Sequence, residues 1–304
     1  MSLFLIRTAL EQGLVYSLVA LGLYLSFRTL NVADMTVDGS YTLGAAVSAA
    51  LTAAGHPFLA LAAAMAAGGA AGLTSAFLQT RLKIQSILAG IITMTALYSV
   101  NLRVMGGKSN LTLLRMTTVY SSVKKLLPPL LQPWSKVVIA AAAALAAAVF
   151  LIFFLRTRLG LSIRATGDNP RMVSASSINP QYTVTVGLCL ANVLPALSGA
   201  LIAQYQQFCD VTMGTGMVVI GLASMIIGEV LTGASRFRSV PRGVFASVLG
   251  GAVYWVIIAA AISSSVPAGD LKLLSACIVA AAISWPALAD RIRFILKKKA
   301  NRSC

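Results

Sequence analysis

Apolar runs of 17 to 26 residues alternate with short polar breaks along almost the whole chain. A membrane-crossing helix needs about 20 predominantly apolar residues, with about 17 as the lower edge. By that measure the pattern predicts nine spans, at about 10–30, 39–55, 57–80, 84–103, 137–155, 181–206, 211–233, 243–262 and 271–289. Runs 137–155 and 243–262 contain no charge at all, whereas 39–55 and 211–233 are short or rich in glycine and read as interrupted or partly re-entrant helices. The expected fold is an all-α polytopic membrane protein, a single transmembrane domain over residues 1–304.

Charge then orients the spans. If the polar stretch at 164–182 faces the cytoplasm, sixteen of the 24 lysines and arginines lie on that side and eight outside, six of the eight in the long 103–136 loop. The first apolar run carries Glu11 and continues past Phe27, so it reads as a span and not as a cleaved leader. The chain divides into a first block at about 9–103, the external loop 103–136, a linking span 137–155, a polar segment 156–180, a second block at about 181–289, and a basic tail 290–304 that would rest on lipid headgroups.

Composition narrows the chemistry. With 58% hydrophobic and 11% charged residues and a mean hydropathy of +0.85, the chain lacks the polar surface of a soluble domain. The net charge of +16 is dispersed between apolar runs, so it fits the positive-inside rule and not a nucleic-acid footprint. One histidine and no C-x-x-C pair exclude a zinc cluster, and eight acids placed mostly in loops leave no acid/base pair for an enzyme. The "GGKS" at 106–109 has Leu102 where a phosphate-binding loop needs its first glycine.

The two blocks share a faint likeness. "DMTVDGSYTLGAAVS" (34–48) and "DVTMGTGMVVIGLAS" (210–224) match at Asp34/Asp210, Thr36/Thr212 and Ser48/Ser224. With one unpaired span between the blocks, they would run in opposite directions, an inverted repeat that places a solute pathway near the bilayer midplane. Candidate pathway or gating residues follow. Asp34 and Asp38 sit where span one ends and span two begins, Asp38 able to cap span two. Asn192 lies beside Pro195, which frees the Ala191 carbonyl in mid-span, and can help satisfy it. Gln204 and Tyr205 belong to a polar-aromatic cluster suited to an entry vestibule. Glu229 is an acid within a span, near its cytoplasmic end; it is either a proton-coupling group or a structural one, paired or snorkelling near Arg236 and Arg238. The Gly68, Gly69 and Gly72 cluster reads as tight helix packing.

Between the blocks, Asp168 or Asn169 can cap a short helix that opens on Pro170, runs to about Ile178 and stops before Pro180. It is too short to be stable alone and must dock on headgroups or on a cytoplasmic partner. "LRTRLGLSIRATGDNPRMVSASSINP", followed by "LCLANVLPALSGALIA", resembles the permease subunits of bacterial ABC importers of the branched-chain amino acid and ribose class, with Ser177 where a glycine is usual. The N-terminal "DMTVDGS" and the later "GLASMIIGEVL" are similar to the tryptophan/tyrosine-type branch. The resemblance implies that 168–178 is a coupling helix. Arg164, Asp168, Asn169, Pro170, Arg171, Met172, Ser176 and Ile178 would contact a separate ATPase that holds ATP and Mg, no cofactor being held in this chain. It further implies a second, identical permease subunit, two cytoplasmic ATPases, an external solute-binding protein and a bacterial inner-membrane location. The alternative is a proton- or sodium-coupled secondary transporter using Glu229, Asp34 and Asp38.

Overall fold

A computed structural model describes residues 3–126, 132–233 and 239–263, together with residue 128 and a few positions between 273 and 284. The chain is an all-α polytopic membrane protein. Its elements are α1 (Leu3–Leu23), a π-helical turn (Tyr24–Thr29), α2 (Thr36–Ala53), α3 (Pro57–Thr80), α4 (Ser86–Val104), β1 (Asn110–Thr112), α5 (Val119–Leu126), α6 (Ser135–Arg156), α7 (Arg158–Asp168), α8 (Pro170–Ala175), α9 (Pro180–Gln206), β2 (Phe208–Asp210), α10 (Met217–Thr232) and α11 (Val240–Ser263).

Among the described residues, six helices are long and apolar enough to cross a membrane: α1 with its π-turn, α3, α4, α6, α9 and α11. Six of the nine expected spans are thereby accounted for among the described residues. Helix α2 has 18 residues, with Asp38, Ser40 and Thr42 on its first turns. Helix α10 has only 16 residues, because 211–216 is held in turns that end on Gly216 at φ 88°. Both are unbroken within their lengths. The last expected span, 271–289, lies for the most part outside the described residues, as does the tail.

Helices α1 and α9 form the buried centre, and α4 and α6 are the least buried. Leu18, Val19, Leu21, Leu23 and Leu25 of the first helix are wholly enclosed. Helix α1 packs on α10 and α11, while α9 packs on α2 and α3. Small residues permit these approaches. Added Cβ atoms would run into the Ala196 carbonyl from Gly44, the Ala196 side chain from Gly68, and the Leu188 carbonyl from Gly72, so the glycine cluster on α3 is a backbone-to-backbone contact with α9.

Several elements were not anticipated. Residues 158–168, expected as part of a polar segment, form α7, capped by Thr157, whose hydroxyl accepts from the Gly160 N–H at 3.2 Å. Inside the external loop, β1 pairs antiparallel with β2, Leu111 opposite Cys209. The ribbon closes an apolar cap of Met105, Leu113, Ala203, Cys209 and Val211 over the end of α2.

Candidate functional site

The polar segment stands away from the bundle on a fixed base. Ile163 is fully buried, and the hydroxyls of Thr166 and Thr183 bond at 2.8 Å, joining α7 to α9. Gly167 lies so close to the Thr29 carbonyl that no side chain fits between them. The α7 end is thereby pressed on the π-turn of the first helix. Asn169, and not Asp168, caps α8, its Oδ1 accepting from the Arg171 and Met172 N–H groups at 3.1 and 3.2 Å. Pro170 occupies the first helical position. The helix ends at Ala175, short of the expected Ile178, because Ser177 takes φ 60° and reverses the chain. Asn179 then caps α9 through the Gln181 N–H at 2.9 Å.

Of the expected contact residues, Asp168, Asn169, Pro170, Arg171, Met172, Ser176 and Ile178 are exposed on this knob, Met172 at 68%. Val173 alone of α8 is buried. Arg164 is set apart from them, half-buried on α7.

Above Thr29 the first helix is unmade. Leu30 and Val32 donate to Leu25 and Ser26 at 3.0 Å, Asn31 takes φ 56°, and the chain is non-helical until Thr36. Arg28 on this π-turn meets Glu229 side-on, Nε to Oε1 at 2.8 Å and Nη2 to Oε2 at 2.9 Å. Glu229 thus pairs with Arg28 from the other block; the expected neighbours Arg236 and Arg238 lie outside the described residues. Such forked pairs gain in geometry as well as charge. The signal for Arg28 was present in the sequence, a lone cation at the end of a span with an acid at the matching depth of another.

Within the break, Asp34 is completely buried. Its Oδ1 accepts from the Thr36 N–H at 2.9 Å and its Oδ2 from Asn192 Nδ2 at 2.7 Å. Asn192 also donates to the Leu188 carbonyl at 3.0 Å and accepts from the Ser40 hydroxyl at 2.5 Å. Asn192 therefore binds three other groups and not the carbonyl freed by Pro195. That carbonyl, Ala191 O, faces Gly22 of α1, which also abuts the proline ring.

Asp38 corrects a second expectation. It lies inside the first turn of α2, and its carboxylate caps α10 instead, accepting from Gly216 N–H at 2.9 Å and Val218 N–H at 2.8 Å. The start of α2 is thus tied to the start of α10, with the favourable sign at a helix N-terminus. The two Asp-x-Thr stretches make the same local turn: Thr36 N–H donates to Asp34, Thr212 N–H donates to Asp210 at 2.7 Å, and the Thr212 hydroxyl also bonds Asp210.

At the opposite end, Gln204 is a buried tie and not a vestibule wall. It accepts from the Val119 N–H at 2.8 Å and donates to Ser48 Oγ and the Pro57 carbonyl, each at 3.1 Å. Tyr205 donates to Glu11 Oε2 at 2.9 Å, with the Lys136 ammonium 4.3 Å above its ring. Glu11 in turn holds Arg7 at 2.9 Å.

A bundle of apolar helices with few buried charges, Glu229 and Asp38 among them bound across the two blocks, defines a multi-pass membrane protein. The sequence model of the branched-chain amino acid transport system permease component matches residues 5–283, and the chain belongs to that family, within the ABC permease superfamily. The chain is 37% identical to a tyrosine transport system permease protein of Clostridioides difficile strain R20291, over 91% of this chain and 89% of the relative. It is 26% identical to the ribose import permease protein RbsC of Escherichia coli K12, over 79% and 74%. An uncharacterised protein of Rickettsia prowazekii, RP368, is 34% identical over 88% and 92%. No solved structure matches the chain.

Proposed function

We infer that this permease is the membrane-spanning subunit of an ATP-driven importer, working as a pair of identical chains with two cytoplasmic ATPases that bind ATP and Mg and an external solute-binding protein, in the bacterial inner membrane. The observation that carries the reading is the exposed, doubly capped α8, whose base presses through Gly167 on the broken end of the first helix. Residues 168–178 would seat in a groove of the ATPase. Closure of the ATPases would drive α7 against the π-turn, shift Arg28 and Glu229, and reach Asp34, Asn192 and Asp38 at the junction of the two blocks. Alternating access then follows from rocking of one block against the other. The name of the 37% identical relative supports an aromatic amino acid as solute.

The inverted arrangement is part of the same proposal. Its support is the shared Asp-x-Thr turn and the exchange of partners in which α1 packs on α10 and α11 while α9 packs on α2 and α3. The pathway residues act by holding this junction in register, with Gln204 and Tyr205 fixing the outer end.

The test is co-purification with candidate ATPases, comparing the natural chain with a variant carrying Asp168→Ala, Asn169→Ala and Arg171→Ala. Retention by the first and loss by the second, with folding intact, supports the assignment. Uptake into vesicles that follows a proton or sodium gradient without any ATPase would overturn it and move attention to Asp34, a buried carboxylate whose two hydrogen-bond donors are neutral.

A further inference from the structure

A cavity of about 800 Å³ lies between the second half of α3, the middle of α4 and the start of α9. It opens sideways, since Phe77 and Tyr182 on its walls are both more than half exposed. Its polarity is graded. Arg81, Thr80, Asn179 and Gln181 stand at the end nearest α8, whereas Leu73, Ile92, Leu97 and Val100 form the far end. Leu73 lies eight residues before Arg81, so the helix separates the two ends by about 12 Å at 1.5 Å per residue. That is most of one leaflet of a hydrocarbon core about 30 Å thick.

Charge is also one-sided. Arg81 is the cation among the lining residues and no acid joins it; residues 80–104 and 172–209 contain none. Lys83 follows in the next turn, exposed. Helices α4 and α9 both begin at this end, which places their positive dipole ends there. A deep apolar groove with a cationic rim at headgroup level complements one ligand chemistry, an acyl chain carrying an anionic head.

We propose that this groove holds an anionic phospholipid of the leaflet on the α8 side, its phosphate on Arg81 and one acyl chain along Leu73, Leu97 and Val100. The occupant braces α9 where Asn179 caps it, one residue after Ile178, and so stiffens the joint between the knob and the bundle. The site is independent of which solute is carried and of which ATPase docks.

The experiment uses the full chain, delipidated in neutral detergent and titrated with phosphatidylglycerol or phosphatidylcholine of the same acyl length, with bound lipid counted by native mass spectrometry. Phosphatidylglycerol is retained in preference. Arg81→Gln weakens it about fivefold, the loss expected for one cation at an anionic surface. Ala96→Trp, filling the groove from its exposed face, abolishes retention. A variant with Lys297, Lys298 and Lys299 all changed to Gln keeps it, which separates the groove from the basic tail. Equal retention of both lipids overturns the proposal, as does phosphatidylglycerol binding that survives both Arg81→Gln and Ala96→Trp. A Phe77→Cys variant that crosslinks two copies in a lipid bilayer would assign the groove to a second chain instead.

Discussion

Removing Asn192 tests whether the junction between the two blocks is held by a charged hydrogen bond. Asn192→Ala deletes the 2.7 Å bond to Asp34 and the bond to the Leu188 carbonyl. Ser40 loses little, because its hydroxyl already reaches the carbonyls of Thr36 at 3.0 Å and Val37 at 3.3 Å. A neutral hydrogen bond between membrane helices averages only about 0.6 kcal/mol in double-mutant cycles. A bond to an ionised acceptor is worth about 1.5–3 kcal/mol, and Asp34 is fully enclosed with the Thr36 N–H as its other donor. The expected coupling energy between Asp34→Ala and Asn192→Ala is therefore about 2 kcal/mol. It is read from a four-member cycle of equilibrium unfolding in mixed micelles, with helical circular dichroism as the signal. A coupling within the additivity limit of about 0.5 kcal/mol would refute the reasoning, because the two residues would then be neighbours without a bond worth naming.

Arg28→Gln or Glu229→Gln each leaves a half-buried charge without its fork, so each lowers the unfolding midpoint, and the exchange Arg28→Glu with Glu229→Arg recovers at least half of the loss in the same assay. Gly228→Ala and Gly250→Ala each drive a methyl into backbone of the facing helix, the Ala246 carbonyl in one case and the Ser224 carbonyl in the other, and should cost about 1–3 kcal/mol. Gly55→Ala meets no atom within 4 Å but sits at φ 90°, so a smaller loss, about 1 kcal/mol, separates conformational strain from steric overlap. The Cys209 thiol, on the buried face of the β1–β2 ribbon and next to Asp210, is pushed up to about 12. The thiolate is the reactive form, so maleimide at about pH 8 should leave Cys209 unlabelled in the folded protein and label it after unfolding; rapid labelling of the folded chain would show the ribbon to be open.

What the sequence disclosed depended on how local the signal was. Apolar runs mark α3, α4, α6, α9 and α11 because lipid imposes the same demand on each residue along a span. The knob was legible because capping is a matter of three or four adjacent residues, although Asp168 and Asn169 are equal as caps until the backbone chooses between them. Helix α7 was hidden, since its buried face consists of Gly160, Ile163 and Thr166, too few and too small to stand out as an apolar stripe. The β1–β2 ribbon was hidden for a different reason: its strands have three residues each and lie about a hundred positions apart. Asp38 shows the limit most sharply. A carboxylate on the first turn of a helix is ordinarily read as serving that helix, but here Thr36 and Asp34 already occupy that role, which releases Asp38 to cap α10 across 178 residues of chain. Glu229 and Arg28 follow the same logic over 201 residues. Every charge inside this bundle that the sequence flagged as costly has its partner in the other block. The polar residues therefore specify how the blocks meet, while the apolar ones specify only that each helix lies in a membrane.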